Sequence, residues 1–506
     1  MTLARTWSVG LAGVHGAMVE VEVDMAAGVP QVVLVGLPDA VVRQSVDRVR
    51  AAVVNAGGSF PLRRITIGLS PAAMPKQGSG FDLALAAGIL AASGAVPTEA
   101  VDRLVLLGEL GLDGSVRGIR GVLPAVLAAA RAGHPQVVVP AANAEEAALV
   151  ESVEVLAADT LAQVVAHLAG RVALPRHVRG ALPEPPAVPD LGDVVGQAAG
   201  RRAVEVAAAG GHHLFLAGPP GAGKTMLAER LPGLLPPLDE QAALEVTAIH
   251  SVAGTLPPEA PLVARPPYES PHHSATMAAL IGGGSGQIRP GALCRAHRGV
   301  LFLDEAPEFP RAVLDTLRQP LERGSVTIHR AAGAATFPCR AQLVLAANPC
   351  PCATAAGDAA CTCSALERRR YRSRLSGPLL DRIDLRVDLP PVTRAAWLDG
   401  YGDPETTATV ARRVAAARAA AAERLAGTGL TVNSQVPGRL LRSRWSVPRS
   451  SLALAERALE RGALSVRGFD RVTRVAWTLA DLAGRPVPGP DEVAEALGMR
   501  LQRVAA

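Results

Sequence analysis

Lysine is almost absent from this sequence: the 506 residues include two lysines, Lys76 and Lys224, among 51 basic residues. Aromatic residues make up 3% of the chain, and apolar residues, mostly alanine, valine and leucine, make up 49%. This composition excludes a disordered chain and is typical of an alanine-rich α/β protein. The longest apolar stretch, residues 83–96, is broken by two glycines and a serine and is too short to span a bilayer. We therefore expect no membrane partner.

The beginning of the chain lacks the features of an export signal, because it has one arginine, no strong apolar core and no clear cleavage site. We expect a cytoplasmic protein. The charge is uneven: residues 1–170 have 11 basic and 15 acidic residues, a balance of −4, whereas the whole chain has a formal charge of +5. The basic excess after residue 170 fits a polyanion partner and fits a solvated arginine-rich surface equally well.

A glycine-rich segment at residues 213–225 predicts a phosphate-binding loop. An apolar strand leads into a glycine-rich turn, and a helix then begins, so that backbone N–H groups and the helix start can hold phosphates. Lys224 would reach the β- and γ-phosphates of ATP, and Thr225 would offer a hydroxyl to Mg²⁺. The alternative is a glycine-rich turn in which Lys224 has no chemical role. We disfavour it because arginine takes the place of lysine almost everywhere else in the chain. The predicted ATP-binding residues are Gly218, Pro219, Pro220, Gly221, Ala222, Gly223, Lys224 and Thr225.

Two further predicted strands end in residues suited to hydrolysis. The apolar residues 300–303 are followed by Asp304 and Glu305, and residues 342–347 are followed by Asn348. Ligands bind beyond the carboxyl ends of strands in open α/β sheets. We therefore expect Asp304 to hold Mg²⁺ and Glu305 to take a proton from the attacking water. Asn348 is placed like the sensor 1 asparagine of AAA+ ATPases, which orients that water.

Short motifs along nearly the whole chain resemble the magnesium-chelatase-like AAA+ ATPases of the YifB/ComM family. They are His-His-Ser at 272–274, Gly-Gly-Gly at 282–284, Pro-Gly-Ala-Leu at 290–293, Leu-Arg-Gln-Pro-Leu-Glu at 317–322 and Asn-Pro-Cys-Pro-Cys at 348–352. Members resemble hexameric ring motors, and the ComM branch is known as a DNA branch-migration helicase in natural transformation. The resemblance implies a self-associating ring that acts on DNA during recombination or DNA uptake.

Two other functions remain open. A chelatase motor subunit would drive metal insertion into a tetrapyrrole, but such subunits normally lack the front domain described next. A protein-remodelling ATPase would be expected to have an aromatic residue in its pore loop, whereas residues 276–291, a flexible loop at the position of a pore loop, contain none.

The resemblance divides the chain into a multidomain α/β fold. Residues 1–172 resemble the Lon-protease-like α+β domain of this family, through the segments 35–38, 76–83 and 108–114. A Lon-type peptidase needs a serine activated by a lysine. The serine position falls at Gly80, or at Ser79 after a shift of one residue, and the lysine position falls near Leu123, so we expect this domain to be inactive. A proline-rich linker (173–192), an AAA+ core with a parallel sheet (193–390) and a helical lid (391–506) complete the prediction.

Two arginines gain expected roles from the resemblance. Residues 379–384 resemble the arginine-finger motif of the helix-insert AAA+ clade, so Arg382 would enter the neighbouring subunit's site and stabilise phosphoryl charge. Residues 465–468 resemble the sensor 2 motif, so Arg467 would face the γ-phosphate, with Arg474 as a weaker candidate. Ordinary surface arginines are the alternative for each.

Residues 324–340 predict a hairpin that turns near Ala332 and Gly333. In related ATPases such a hairpin reaches the central channel, so His329 and Arg330 near its tip could contact the phosphates of DNA independently of sequence. An ordinary solvent-exposed hairpin is the alternative.

Four of the six cysteines form two close pairs: Cys350, Cys352, Cys361 and Cys363. Disulfides are rare in the cytosol, and four thiolates suit a structural Zn²⁺. Free thiols in a surface loop are the alternative, because the spacing is only moderately specific. We expect the isolated Cys294 and Cys339 to be packing residues.

Overall fold

The computed structural model describes residues 2–180, 187–257, 260–284, 288–330, 333–352, 361–392, 394 and 405–501. They form a front domain, a central domain built on a parallel sheet, and a helical lid. The multidomain α/β fold expected from the sequence is confirmed. Within the described part of the chain, no helix has both the length and the apolar character needed to cross a membrane.

The front domain, residues 2–180, is a mixed sheet with helices packed on it. Its elements are β1 (Thr2–Ala12), β2 (His15–Ala26), β3 (Gln31–Val35), α1 (Ala40–Asn55), β4 (Arg64–Ser70), α2 (Asp82–Ala92), β5 (Leu104–Leu106), β6 (Glu109–Leu110), β7 (Val116–Arg117), α3 (Val122–Arg131), β8 (Gln136–Pro140), α4 (Ala144–Ala147), β9 (Glu154–Ala158), α5 (Leu161–Leu168) and β10 (Arg176–His177). The main sheet has eight strands in the order β10-β9-β8-β5-β1-β2-β4-β3.

Helix α2 is the centre of the front domain's core. All of its residues are buried: apart from Asp82, which is paired with Arg48, the helix is apolar on every side and packs against β1, β2 and α1. Strand β10 lies inside the predicted linker yet pairs with β9, so the sheet continues past residue 172. The linker prolines at 183, 185 and 186 lie outside the described residues.

The central domain carries a five-stranded sheet in which every neighbouring pair is parallel. Its elements are α6 (Ala198–Gly210), β11 (Leu214–Ala217), α7 (Lys224–Leu234), α8 (Glu240–Ala253), β12 (Tyr268–Glu269), α9 (Met277–Ile281), β13 (Gly282–Gly283), β14 (Arg289–Pro290), α10 (Ala292–Arg295), β15 (Val300–Leu303), α11 (Arg311–Asp315), α12 (Arg318–Arg323), β16 (Ser325–Arg330), β17 (Gly333–Pro338), β18 (Gln342–Ala347), α13 (Ala365–Ser373), α14 (Gly377–Leu380) and β19 (Leu385–Asp388). The sheet order is β12-β15-β18-β11-β19. The carboxyl ends of β11, β15 and β18 therefore meet at one edge.

Two hairpins project from this domain. The predicted hairpin at 324–340 is confirmed: β16 pairs with β17 as far as Arg330 opposite Gly333, and the predicted turn residue Ala332 lies outside the described residues. The prediction of a flexible loop at 276–291 is wrong for most of its length, since α9 and the paired strands β13 and β14 occupy it. The Thr276 hydroxyl caps α9 and Leu280 is fully buried, which fixes this segment. Residues 285–287 lie outside the described residues.

Residues 405–501, the main described part of the lid, contain five α-helices: α15 (Thr407–Leu425), α16 (Gly438–Leu441), α17 (Arg449–Glu460), α18 (Val466–Leu482) and α19 (Pro490–Leu501). The helical lid expected from the sequence is confirmed in these described residues, and α16 is the shortest of its helices. Helices α15 and α18 pack on α6, which joins the lid's apolar core to that of the sheet.

A buried ion pair fastens the lid to the central domain. Arg471 of α18 donates to the Asp384 carboxylate at 2.5 Å, and His212 lies 3.4 Å from the same carboxylate. Burial alone would raise the pKa of Asp384, but the His212 hydrogen bond and the charge of Arg471 outweigh burial and hold that pKa well below its ordinary value. Arg500 of α19 donates to the Ile383 carbonyl next to it. Two lid arginines, Arg471 and Arg500, therefore anchor residues 383 and 384, which directly follow Arg382 in the chain.

The front domain contacts the central domain through α3 and through the turn between β1 and β2. At the first, α3 packs against α8, and the Ser251 hydroxyl donates to the Glu146 carboxylate. At the second, the turn between β1 and β2 approaches β17 so closely that a Cβ atom on Gly13 would lie 2.6 Å from the Thr336 carbonyl oxygen. Only glycine fits at position 13, because its φ of +68° also lies in the left-handed region.

Candidate active site

The loop between β11 and α7 forms an open concave turn at the carboxyl edge of the sheet. Gly221 and Gly223 have φ values of +77° and +83°, and a Cβ atom at either would meet no atom within 4 Å. Gly218 is constrained differently, since its Cβ would lie 2.6 Å from the Leu389 carbonyl oxygen. Left-handed glycines next to open space let successive N–H groups line an anion-binding concavity. The residues present therefore fit a bound phosphate chain.

Lys224 opens α7 and lies across the base of this turn. Its Nζ donates to the carbonyls of Gly218 at 2.7 Å and Pro219 at 2.9 Å, and to Oδ1 of Asn348 at 3.0 Å. Burial lowers the pKa of the ammonium, and the charges of Asp304 and Glu305 oppose part of that shift. The contact joins residues 124 positions apart, and it places the predicted lysine and the predicted sensor asparagine in one site.

Thr225 and Asp304 also come together as the sequence predicts. The Thr225 hydroxyl donates to Oδ2 of Asp304 at 2.8 Å, and Oδ1 of Asp304 accepts the backbone N–H of Glu305, also at 2.8 Å. A hydroxyl beside a carboxylate is the oxygen donor set that Mg²⁺ prefers in nucleotide sites. These two side chains fit a magnesium ion bound with a triphosphate.

Glu305 follows β15 in a strained conformation, with φ at +48°. Its Oε2 lies 3.1 Å from Nδ1 of His273, in the turn that follows β12. His273 belongs to the His-His-Ser motif at 272–274, and the sequence favoured a place near the subunit interface or pore for this motif rather than a contact with Glu305. The separation of 32 residues hides the pairing.

Of the two arginines expected to contact phosphate, one has partners within its own domain and the other faces solvent. Arg382 donates to the Arg318 carbonyl at 2.9 Å and to Oε1 of Glu322 at 2.5 Å. Arg467 is exposed at the start of α18. Among the described residues, no hydrogen bond or ion pair joins either arginine to the 218–225 loop. The weaker candidate Arg474 donates to the Val436 carbonyl at 2.7 Å and belongs to the lid's own packing.

The two hairpins of the central domain lie side by side. His329 and Arg330 are exposed at the end of β16. A Cβ atom on Gly283 of β13 would lie 2.9 Å from the Arg330 guanidinium, and one on Gly282 would lie 2.6 Å from the Ile328 side chain. The cationic tip of one hairpin therefore rests on the glycine backbone of the other.

The four clustered cysteines converge. Their Sγ atoms all lie within 4.8 Å of one another, and none of the six cysteines forms a disulfide. The Sγ of Cys350 lies 3.1 Å from that of Cys352 and 3.4 Å from that of Cys361. Sulfur atoms around a tetrahedral zinc are separated by about 3.8 Å, so the donor set fits this metal after a small expansion. Cys294 and Cys339 are buried, as expected for packing residues, and burial raises the pKa of the Cys294 thiol to about 12.

In the front domain, the residues nearest the expected peptidase positions have other partners. The Ser79 hydroxyl donates to the Glu109 carboxylate. Lys76 is completely buried, and its Nζ donates to the Leu69 carbonyl at 2.9 Å and to the Pro71 carbonyl. Leu123, at the expected lysine position, is buried in the core.

Three family descriptions match the chain: "Magnesium chelatase, subunit ChlI" over residues 190–397, "Subunit ChlI of Mg-chelatase" over 21–143, and "Magnesium chelatase, subunit ChlI C-terminal" over 404–500. An uncharacterized protein of Mycobacterium tuberculosis is 54% identical over 500 residues, covering 99% of both chains. The competence protein ComM of Haemophilus influenzae is 41% identical over 508 residues, covering 99% of this chain and 98% of that protein. The uncharacterized protein YifB of Escherichia coli is 38% identical over 500 residues, covering 99% and 97%. Because these likenesses extend over the full length, the chain belongs to the YifB/ComM family of magnesium-chelatase-like AAA+ ATPases.

Proposed function

We propose that this ATPase is a hexameric ring motor that hydrolyses ATP to move along DNA in the cytoplasm, as a branch-migration helicase or translocase in homologous recombination or natural transformation. The observation that carries the proposal is the paired hairpins, which place the exposed His329 and Arg330 on the same domain as the hydrolytic residues. The relative named as a competence protein supports a role in DNA uptake.

In this proposal the residues at the sheet edge divide the work of hydrolysis. Lys224 leaves its carbonyl and asparagine partners to neutralise phosphate charge, while Asn348 orients the water. Glu305 accepts that water's proton. Thr225 and Asp304 would hold Mg²⁺, which would supply charge neutralisation to the phosphates. Arg467 contacts the same nucleotide from the lid, and Arg382 reaches the nucleotide of the neighbouring subunit.

The front domain is proposed to have no peptidase activity. Its lysine donates to backbone carbonyls and its nearby serine donates to a carboxylate, so neither contact forms the serine–lysine pair that a Lon-type reaction needs. Its proposed role is structural, through the contacts with α8 and β17.

The hydrolytic assignments are tested by two substitutions. Lys224→Ala is expected to abolish nucleotide binding, because it removes the buried ammonium. Glu305→Gln should retain ATP binding while turnover falls by about a hundredfold or more, because the amide cannot accept a proton. Fluorescent-nucleotide titration and phosphate release measure the two effects separately. Normal turnover by the Glu305 variant would remove it as the base.

The DNA assignment is tested by measuring ATP turnover with and without single-stranded or forked DNA. The wild-type protein should be stimulated. Arg330→Ala should bind DNA more weakly on every sequence, with the slope of log affinity against log salt reduced by about one, because one phosphate contact is lost. Arg461→Ala removes an exposed lid arginine and serves as the matched control, which should behave as wild type. Stimulation by a partner protein and by no DNA would instead favour a chelatase motor subunit or a remodelling ATPase.

The proposed ring is tested by mixing subunits. Arg382→Ala should lower turnover by about a thousandfold, and mixing it with wild type should inhibit more than in proportion to its share. Glu322→Ala removes the acceptor that Arg382 contacts but keeps the arginine, so it controls for local disruption and should not poison the mixture. Inhibition that simply follows the dose of Arg382→Ala would argue against action across a subunit interface.

The proposed structural Zn²⁺ at the four cysteines is tested by elemental analysis of protein purified under reducing conditions. We expect about one zinc per chain, with loss of the metal in Cys352→Ser and Cys361→Ser, because a tetrahedral site needs all four ligands. Cys294→Ser, at a buried and isolated cysteine, should keep its metal. Wild-type protein without zinc would end the proposal.

A further inference from the structure

Arginine is most concentrated in helix α13 and the residue that follows it. Five of the seven residues 368–374 are arginine, and the other two are Tyr371 and Ser373. The proposed hydrolytic and DNA contacts use none of these arginines. Glu367 is the one acidic residue between positions 361 and 380 of the sequence. The helix therefore carries a strong local positive charge that has no assigned role.

Two of these arginines fasten the helix to the central domain. Nη2 of Arg372 donates to the Pro349 carbonyl at 3.3 Å. Nη1 of Arg374 donates to Oε2 of Glu308 at 2.7 Å. Tyr371, on the same helix, is buried. These contacts fix which side of α13 faces the domain and which side faces solvent.

The start of α13 is capped by its own carboxylate. The N–H of Glu367 donates to the Ser364 hydroxyl at 3.2 Å, and the N–H of Ser364 donates to the Glu367 carboxylate at 2.7 Å. Such a capping box satisfies two N–H groups at a helix start. Cys363 of the four-cysteine cluster directly precedes Ser364, so the helix follows a segment whose thiols converge. Among the described residues, no ion pair joins the Glu367 carboxylate to an arginine of the helix.

The outer face of α13, which we define as Leu366, Arg369, Arg370 and Ser373, is exposed. At 3.6 residues per turn these four positions share one side of the helix. Within the described part of the chain, no hydrogen bond or ion pair engages the guanidinium of Arg369 or Arg370, unlike the two arginines that fasten the helix. The outer face therefore presents two cations to solvent on a helix whose orientation is fixed.

This face is separate from the root of the hairpin that carries Arg330. Strand β17 leads into the amino end of β18, whereas Pro349 and Glu308, which hold α13, follow the carboxyl ends of β18 and β15. Strand β18 lies inside the sheet, between β15 and β11. The hairpin root and α13 are therefore at opposite edges of the sheet, and α13 shares the edge of the nucleotide site.

We propose that the outer face of α13 is a second DNA-binding surface, on which Arg369 and Arg370 contact phosphates of the strand independently of its sequence. A guanidinium keeps its charge at neutral pH and can form two parallel N–H···O bonds with one phosphate, so the unpaired cations are complementary to a phosphate backbone. Contacts of this kind position a nucleic acid without reading its bases. The proposal rests on the proposed DNA function and adds a surface beyond the hairpins.

The test measures the affinity of full-length variants for a fluorescent single-stranded oligonucleotide over a range of salt concentrations. Arg369→Ala/Arg370→Ala should bind more weakly at low salt, with the slope of log affinity against log salt reduced by about 1.4, or about 0.7 for each lost phosphate contact. Between about 50 and 200 mM salt it should therefore lose about sevenfold less affinity than the wild-type protein. Arg369→Lys/Arg370→Lys keeps both charges and should keep the wild-type slope. Nucleotide affinity and turnover without DNA should be unchanged in both double variants.

Arg457→Ala/Arg461→Ala is the matched control, because it removes two exposed arginines from the end of α17 in the lid, and it should keep the wild-type slope. A wild-type slope in Arg369→Ala/Arg370→Ala would overturn the proposal, as would an equal reduction in the lid control. A changed oligomeric state with unchanged DNA affinity would assign the outer face to a contact between copies and would also overturn it. If the wild-type protein binds no DNA, the proposed DNA function itself fails, whereas DNA binding that the double variant leaves intact rejects α13 alone.

Discussion

The contact between Lys224 and Asn348 depends on the parallel order of the central sheet. Because β11, β15 and β18 run in the same direction, their ends bring the lysine, the two carboxylates and the asparagine to one edge. Reversing any of these strands would move one group to the opposite edge. The chain holds this order with strands whose residues are buried throughout, so the apolar core and the chemical site are specified together.

Much of this site could be predicted from sequence, because each part is local. The glycine-rich turn, the apolar strand ending at Asp304 and the strand ending at Asn348 all have signals within a few residues. Two pairs join residues that are far apart in the sequence: His273 with Glu305, and Arg471 with Asp384. Their pairing could not be predicted from neighbouring residues and became visible only in the folded structure. The zinc, DNA and subunit-interface roles remain predictions, because they concern groups outside the chain.

Two segments show why a local pattern can mislead. Strand β1 is central in the front sheet, but its buried face includes Thr6 and Ser8 beside Ala4, so the apolar alternation typical of a strand is missing. Thr6 is accommodated because its hydroxyl donates to the Ala84 carbonyl at 3.0 Å. In the segment at 276–291, the Thr276 cap and the buried Leu280 order α9, so the expectation of a flexible loop fails for most of its length.

The close approach of Gly13 to Thr336 has a mechanical meaning. A backbone-to-backbone approach without an intervening side chain leaves no room for compression, so the Gly13 turn sets the closest distance between the front domain and β17. Any larger residue at position 13 would have to push the two domains apart, so a single missing side chain determines how near they lie.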